Sequence, residues 1–129
     1  MKNLVFASTL LFATSAFAET TLFKCMVPAE TPAVTLEVTK GDDVSIDFVT
    51  VQVVTKSTSF VLFNQLDKGA ADQMVKAGEF SMMVLGEQFG QVDGVIKDAG
   101  LIQISQTSPG VYEGFLLAKG DIYPLACTK

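Results

Sequence analysis

Apolar and polar residues alternate with a period of two along most of the chain after residue 19. Val34, Leu36 and Val38, for example, alternate with Thr35 and Glu37. Alternation of this kind puts successive side chains on opposite faces of a β-strand. Strands are predicted at 20–27, 33–40, 44–55, 58–64, 79–85, 91–97, 101–106, 111–118 and 122–127. Eight or nine short antiparallel strands at this spacing are typical of a small all-β barrel or barrel-like sandwich.

The predicted strand at 44–55 departs from simple alternation. Val44, Ile46 and Phe48 share one face, and the apolar positions then shift by one residue, beginning with Val49. Because such a shift reverses every later side chain, it predicts a β-bulge or a sharp bend near Phe48 and Val49. It also places Asp47 among the polar positions that face solvent.

One segment has helical rather than strand periodicity. Asp67 suits the N-terminal cap of a helix, and Gly78 suits the position after its C-terminus. The predicted apolar face consists of Ala70, Ala71, Met74 and Val75. A helix of about three turns is marginally stable alone, so it is expected to pack over an open end or face of the sheet.

The two cysteines of the chain lie on the first and last predicted strands. Cys25 and Cys127 both fall on inward-facing positions, and two cysteines allow a single intramolecular pairing. We therefore expect a disulfide that joins the first strand to the last. In the chain-entropy model, a ring of this size contributes roughly 4 to 5 kcal/mol.

The first 18 residues have the form of a secretory signal peptide. Lys2 supplies a positive charge, residues 4–14 are apolar, and Ala16 and Ala18 fit a cleavage site after Ala18. The predicted mature protein is a single domain over residues 19–129, located in the periplasm or secreted. No later apolar stretch reaches the roughly 20 residues of a membrane helix, so no membrane anchor is expected.

Composition narrows the function classes. The formal net charge is −5, and the chain contains neither His nor Arg. Without Arg or a lysine cluster, nucleic acid is an unlikely partner. Without His, the usual general base and transition-metal ligand are both missing. The sequence therefore predicts a non-catalytic protein without a cofactor.

The densest acidic group consists of Asp42, Asp43 and Asp47. Carboxylate oxygens at this spacing suggest a calcium site, although the spacing does not match an EF-hand loop. The favoured interpretation is a solvated turn followed by a solvated strand face, with no metal site. Asp93 and Asp98 are interpreted as turn residues.

The middle of the chain is richer in apolar residues than a one-sided sheet requires. The residues concerned are Phe60, Leu62, Phe63, Phe80, Met82 and Phe89. They suggest a lipocalin-like interior that holds a small apolar ligand. A packed core covered by the helix accounts for them equally well and is favoured.

The last hairpin resembles a known family. Ser108-Pro-Gly-Val-Tyr112 is followed by Phe115-Leu-Leu-Ala-Lys119-Gly-Asp, with a cysteine near each end of the mature chain. This combination resembles the periplasmic and membrane-bound inhibitors of C-type lysozyme. The resemblance implies a small eight-stranded barrel whose Ser-to-Tyr loop and Lys-Gly loop insert into the cleft of a lysozyme-like hydrolase.

Under that resemblance, Ser108, Tyr112 and Lys119 are the expected contacts with the hydrolase. The sequence as a whole thus predicts an exported binding protein that inhibits a lysozyme-like hydrolase. Two other classes stay open: a carrier of a small apolar ligand, and an assembly subunit that forms oligomers through an exposed strand edge.

Overall fold

The computed structural model describes residues 19–28, 34–86 and 99–129. Its strands are β1 (Glu19–Val27), β2 (Val34–Asp42), β3 (Ile46–Val54), β4 (Ser59–Asp67), β5 (Glu79–Leu85), β6 (Ala99–Ser108), β7 (Val111–Ala118) and β8 (Asp121–Thr128). The helix α1 (Ala70–Ala77) lies between β4 and β5. The strands form a closed antiparallel barrel in chain order, which confirms the predicted all-β barrel with one helix.

Several predictions fall outside the described residues. They are the signal peptide over residues 1–18, the strand over residues 91–97, the turns at Asp93 and Asp98, and the place of Phe89 in the apolar set.

The barrel closes where β1 meets β8, and this junction is short. Three residue pairs join the two strands, and the central pair is Cys25 with Cys127. These two cysteines form a disulfide, and both are buried. The predicted staple between the first and last strands is therefore confirmed. A disulfide fits an extracellular or periplasmic protein, since cytosolic thiols are kept reduced.

The predicted bulge in β3 is wrong. β3 pairs with β2 and with β4 in continuous register. Asp47 points into the barrel in the same phase as Val49, Val51 and Val53, and all four side chains are fully buried. The apolar pattern misled because one inward position carries a carboxylate, so Phe48 belongs to the outer face.

The helix begins two residues later than predicted, and Asp67 is not its cap. Gly69 occupies the N-cap position with its backbone in the left-handed region. Because glycine has no side chain, it cannot accept hydrogen bonds from the first N–H groups of the helix. Asp47 supplies the missing acceptor from β3: its Oδ2 accepts hydrogen bonds from the backbone N–H of Gly69 at 3.0 Å and of Ala71 at 3.2 Å. The predicted end is confirmed, because Gly78 is the C-cap with φ of 79°.

The interior is filled by large side chains. Phe23 lies between Phe80 and Tyr112, with ring centroids 5.7 and 5.5 Å apart in edge-to-face geometry. Gly114 allows β6 and β7 to approach closely, since a Cβ atom there would lie 1.8 Å from the carbonyl oxygen of Gln103. An eight-stranded barrel is just wide enough for such side chains to fill it.

The pairing between neighbouring strands is weakest between β4 and β5. Phe63 and Leu85 form the single ladder pair recorded between these strands in the described part of the chain. The side-chain amide of Asn64 adds a hydrogen bond to the carbonyl oxygen of Met83 at 2.9 Å. The helix α1 packs near this opening, where Ala71 is fully buried and Met74 contacts the core.

Candidate functional site

One end of the barrel carries α1, and the described residues at the other end line a cavity. Because the strands run up and down, successive turns lie at alternate ends. The β3–β4 turn and the β7–β8 turn therefore share the end opposite α1. A cavity of about 790 Å³ lies there, which we call the mouth. Its lining includes the turn residues 55–58, Phe60, Lys119, Asp121, Ile122 and Tyr123.

Lys119 reaches across the mouth. Its Nζ lies 5.4 Å from the centroid of the Phe60 ring, although the two residues come from β4 and from the turn before β8. This distance is within the range of a cation–π interaction. Because β4 and β8 lie on opposite sides of an eight-stranded barrel, the contact spans the opening.

The turn that carries Lys119 has a defined backbone conformation. Lys119 has φ of 55° and Gly120 has φ of 80°. Two consecutive positive φ values are typical of a type I′ hairpin turn, in which the twist of the turn matches that of the strands. The side chain of Lys119 therefore starts from a fixed position on the rim.

The turn on the facing side of the mouth is held by its own hydrogen bonds. The backbone N–H of Thr55 donates to the carbonyl oxygen of Thr58 at 2.8 Å, and the N–H of Thr58 donates to Oγ1 of Thr55 at 3.1 Å. Lys56 and Ser57, at the tip of this turn, are exposed. Both rims of the mouth are thus ordered by local bonds.

The lining combines apolar and polar groups. Phe60 and Tyr123 are half-buried aromatic residues, whereas Lys56, Lys119 and Asp121 contribute charges. A volume of about 790 Å³ falls within the range of small-molecule sites, which pair apolar walls with a few polar groups. Such a site can hold a molecule that has both an apolar body and a polar group.

The structure separates the residues that the family resemblance groups together. The turn after Ser108 lies at the α1 end, where the N–H of Gln106 donates to the carbonyl oxygen of Gly78 at 2.9 Å. Lys119 lies at the mouth, beyond the eight residues of β7. A strand of that length spans roughly 23 Å. The two loops therefore do not form one contact surface.

Tyr112 is also unsuited to the role that the resemblance implies. Its side chain points into the barrel, where 6% of the residue is exposed and the ring packs against Phe23. A buried ring that fills the core cannot contact another protein. Lys119 is the one member of the predicted set that lies at the mouth.

The predicted apolar set divides between the two faces of the wall. Leu62, Phe80 and Met82 are buried inside, and Phe60 is the member among the described residues that lines the mouth. Phe63 points outward and stacks on Phe48 with ring centroids 5.9 Å apart, so its predicted place in the interior is wrong. Phe89 lies outside the described residues.

Two of the three acidic residues considered for calcium, Asp43 and Asp47, have separate partners, and the side chain of Asp42 lies outside the described part of the structure. Asp43 accepts hydrogen bonds through Oδ1 from the backbone N–H of Val44 and Ser45, as a turn-forming Asp does. Asp47 points into the barrel, so its predicted solvent exposure is wrong. In the ranges that the structure covers, no three His, Cys, Asp or Glu residues are grouped to hold a metal ion.

A partly buried ionic contact at the α1 end was missed by sequence reasoning, with Asp72 as its exposed partner. Lys40 is 6% exposed, and its Nζ lies 2.9 Å from Oδ2 of Asp72 on α1. The alternation along β2 does indicate that Lys40 is buried, because Lys40 continues the inward series of Val34, Leu36 and Val38. Together with Asp47, it fastens the helix to the barrel.

Comparison of the chain with protein-family models, with curated proteins and with solved structures finds no match. Among the described residues, no helix has the length and apolar character needed to cross a membrane.

Proposed function

We propose that this protein is an exported, non-catalytic binding protein that holds a small amphipathic molecule in the mouth of its barrel. The observation that carries the proposal is the cavity of about 790 Å³ between the two ordered turns. Export follows from the signal-like segment over residues 1–18 and agrees with the disulfide between Cys25 and Cys127.

The ligand sits at the mouth rather than deep in the barrel. Phe23, Phe80 and Tyr112 occupy the interior, so the apolar part of a ligand meets Phe60 and Tyr123 instead. Its polar or anionic group faces Lys119 and the hydroxyl groups of the 55–58 turn. The proposed protein thus differs from a deep lipocalin-like cup, in which the ligand enters the core.

A fluorescent amphipathic anion, 1-anilinonaphthalene-8-sulfonate, tests this proposal. We expect saturable binding to oxidised residues 19–129, with about one site per chain. Lys119→Ala removes the cation facing the sulfonate and is expected to raise the dissociation constant about tenfold, equivalent to about 1.4 kcal/mol.

The matched control is Lys76→Ala, which removes an exposed lysine from the last turn of α1, at the other end of the barrel. It is expected to leave the affinity unchanged. Equal affinity in all three proteins, or the absence of saturable binding, would contradict a ligand site at the mouth.

A second candidate function is inhibition of a lysozyme-like hydrolase by the Lys119-Gly120 turn alone. The favouring observation is that this turn is exposed on the rim of a disulfide-closed barrel, where its conformation is ordered. A lysine on a rigid turn can form a charge-assisted hydrogen bond with a carboxylate in an enzyme cleft.

A turbidity assay of C-type lysozyme acting on cell walls tests this second function. If the turn inhibits, micromolar oxidised protein slows clearing, and Lys119→Ala weakens binding by more than about 2 kcal/mol, as expected for a hot spot. Ser108→Ala serves as the control, because Ser108 lies at the opposite end. Unslowed clearing by the wild-type protein would exclude C-type lysozyme as the target.

A further inference from the structure

The outer face of β3, β4 and β5 is uncharged in its middle part, between the two ends of the strands, and we call this middle part the β3–β5 wall. It comprises the outward positions within 46–54 of β3, 59–65 of β4 and 81–85 of β5. These positions carry Ile, Phe, Thr, Gln, Val, Ser, Met and Leu, and none of them carries a charge. The chain as a whole has a net charge of −5, so the wall is a neutral area on an acidic protein.

The centre of the wall is apolar and accessible. The rings of Phe48 and Phe63 stack on each other with an interplanar angle of 21°. Val61 beside them is 46% exposed, and Met83 on β5 is 56% exposed. Soluble monomers rarely leave large contiguous apolar patches open to water, and those that occur often mark interaction sites.

Charges at the two ends of the wall have opposite sign. At the α1 end, the exposed Asp67 ends β4 and is followed by Lys68, and the exposed Glu79 starts β5, where its carboxylate accepts a hydrogen bond from Ser105 on β6. Lys68 donates from Nζ to the carbonyl oxygen of Asp43 at 2.8 Å. At the mouth end, Lys56 is exposed in the β3–β4 turn. The wall is therefore acidic at one end and basic at the other.

We propose that two copies of this chain pack through the β3–β5 wall, with their strands antiparallel across a twofold axis. In that arrangement Lys56 of each copy lies near the acidic end of the other. The neutral centre avoids the repulsion that two acidic proteins meet elsewhere, and no charge loses its hydration there. Face-to-face packing of sheets is also the ordinary way to bury such a surface.

The proposed contact and the ligand site share Lys56, which lines the mouth and stands at the end of the wall, whereas most of the wall lies on the side of the barrel. The proposed contact also changes the assembly hypothesis drawn from sequence. The described strands pair in chain order to form a closed barrel, and the proposed contact uses the outer face of the sheet in place of an exposed strand edge.

Sedimentation equilibrium of oxidised residues 19–129 over a concentration series tests the proposal. We expect twice the monomer mass, and we expect Val61→Lys to raise the dimer dissociation constant at least tenfold by burying a charge. Val111→Lys is the matched control, because Val111 is 44% exposed on β7, across the barrel. It should leave the constant unchanged.

Charge reversal tests the antiparallel orientation. Lys56→Glu alone should weaken the dimer, and adding Asp67→Lys should restore it by re-forming the pair with the signs exchanged. A wild-type protein that stays monomeric up to about 1 mM overturns the proposal. So does equal weakening by Val61→Lys and Val111→Lys, or a monomer that instead binds phosphatidylcholine vesicles through the wall.

Discussion

Replacing both Cys25 and Cys127 by Ala is expected to lower the free energy of unfolding by about 3 to 5 kcal/mol. The disulfide links residues 102 apart in sequence, so its loss frees almost the whole described chain in the unfolded state. It also stands at the middle of a junction with three residue pairs, which leaves little else to join β1 to β8. Urea unfolding of the oxidised mature protein measures the change.

Reduction of the wild-type protein is the matching control for this double substitution. A reductant should lower the stability of the wild-type protein by a similar amount and leave the double variant unchanged. Hydrogen exchange should rise first at amides of β1 and β8, because the barrel is expected to open at that junction. A loss below about 1 kcal/mol would show that strand pairing and packing alone close the barrel.

Substitution of Asp47 by Ala is expected to cost about 2 to 3 kcal/mol of stability. Its Oδ2 accepts the N–H groups of Gly69 and Ala71, and both donors lose their partner in the variant. The expected loss of stability is no larger because the other oxygen, Oδ1, is buried without a hydrogen-bond partner. Removing the carboxylate therefore also removes the unfavourable desolvation of that oxygen. Urea unfolding measures the total, and hydrogen exchange in α1 locates it.

Two further variants make the test of Asp47 specific. Asp47→Asn keeps an oxygen acceptor and should recover part of the lost stability. Asp67→Ala removes the exposed residue that sequence reasoning assigned as the cap, and it should change stability by less than about 0.5 kcal/mol. A larger effect from Asp67 than from Asp47 would contradict the capping contact across the barrel.

The contrast between these two aspartates shows where local sequence reasoning fails. Asp67 is a residue type that often caps helices, but it stands two residues before the N-cap position, which Gly69 occupies. The side chain that does the capping is 22 residues away from Gly69 in sequence, on a strand that crosses under the helix. No local pattern can reveal such a partner, because the contact exists only after β3 and α1 have packed.

The candidate site was predictable in part. The turn at Lys119 and Gly120 is evident from the pattern of the last hairpin, and Phe60 belongs to the apolar set that the sequence suggests for a ligand site. Their contact at 5.4 Å depends on the closed barrel, which brings β4 opposite β8. The same closure places Ser108 at the other end, so residues that look adjacent along one hairpin do not share a surface.

Local patterns in the sequence predict the eight described strands, the closing disulfide and the end of the helix. These features depend on local signals that the folded structure retains. The signals are the side-chain alternation, the inward positions of Cys25 and Cys127, and the glycine at position 78. Three other features follow from the packing of distant strands. They are the burial of Asp47, the position of the cavity at the mouth, and the outward orientation of Phe63. These depend on contacts between distant strands, where a carboxylate such as Asp47 becomes acceptable inside the barrel because helix N–H groups meet it there.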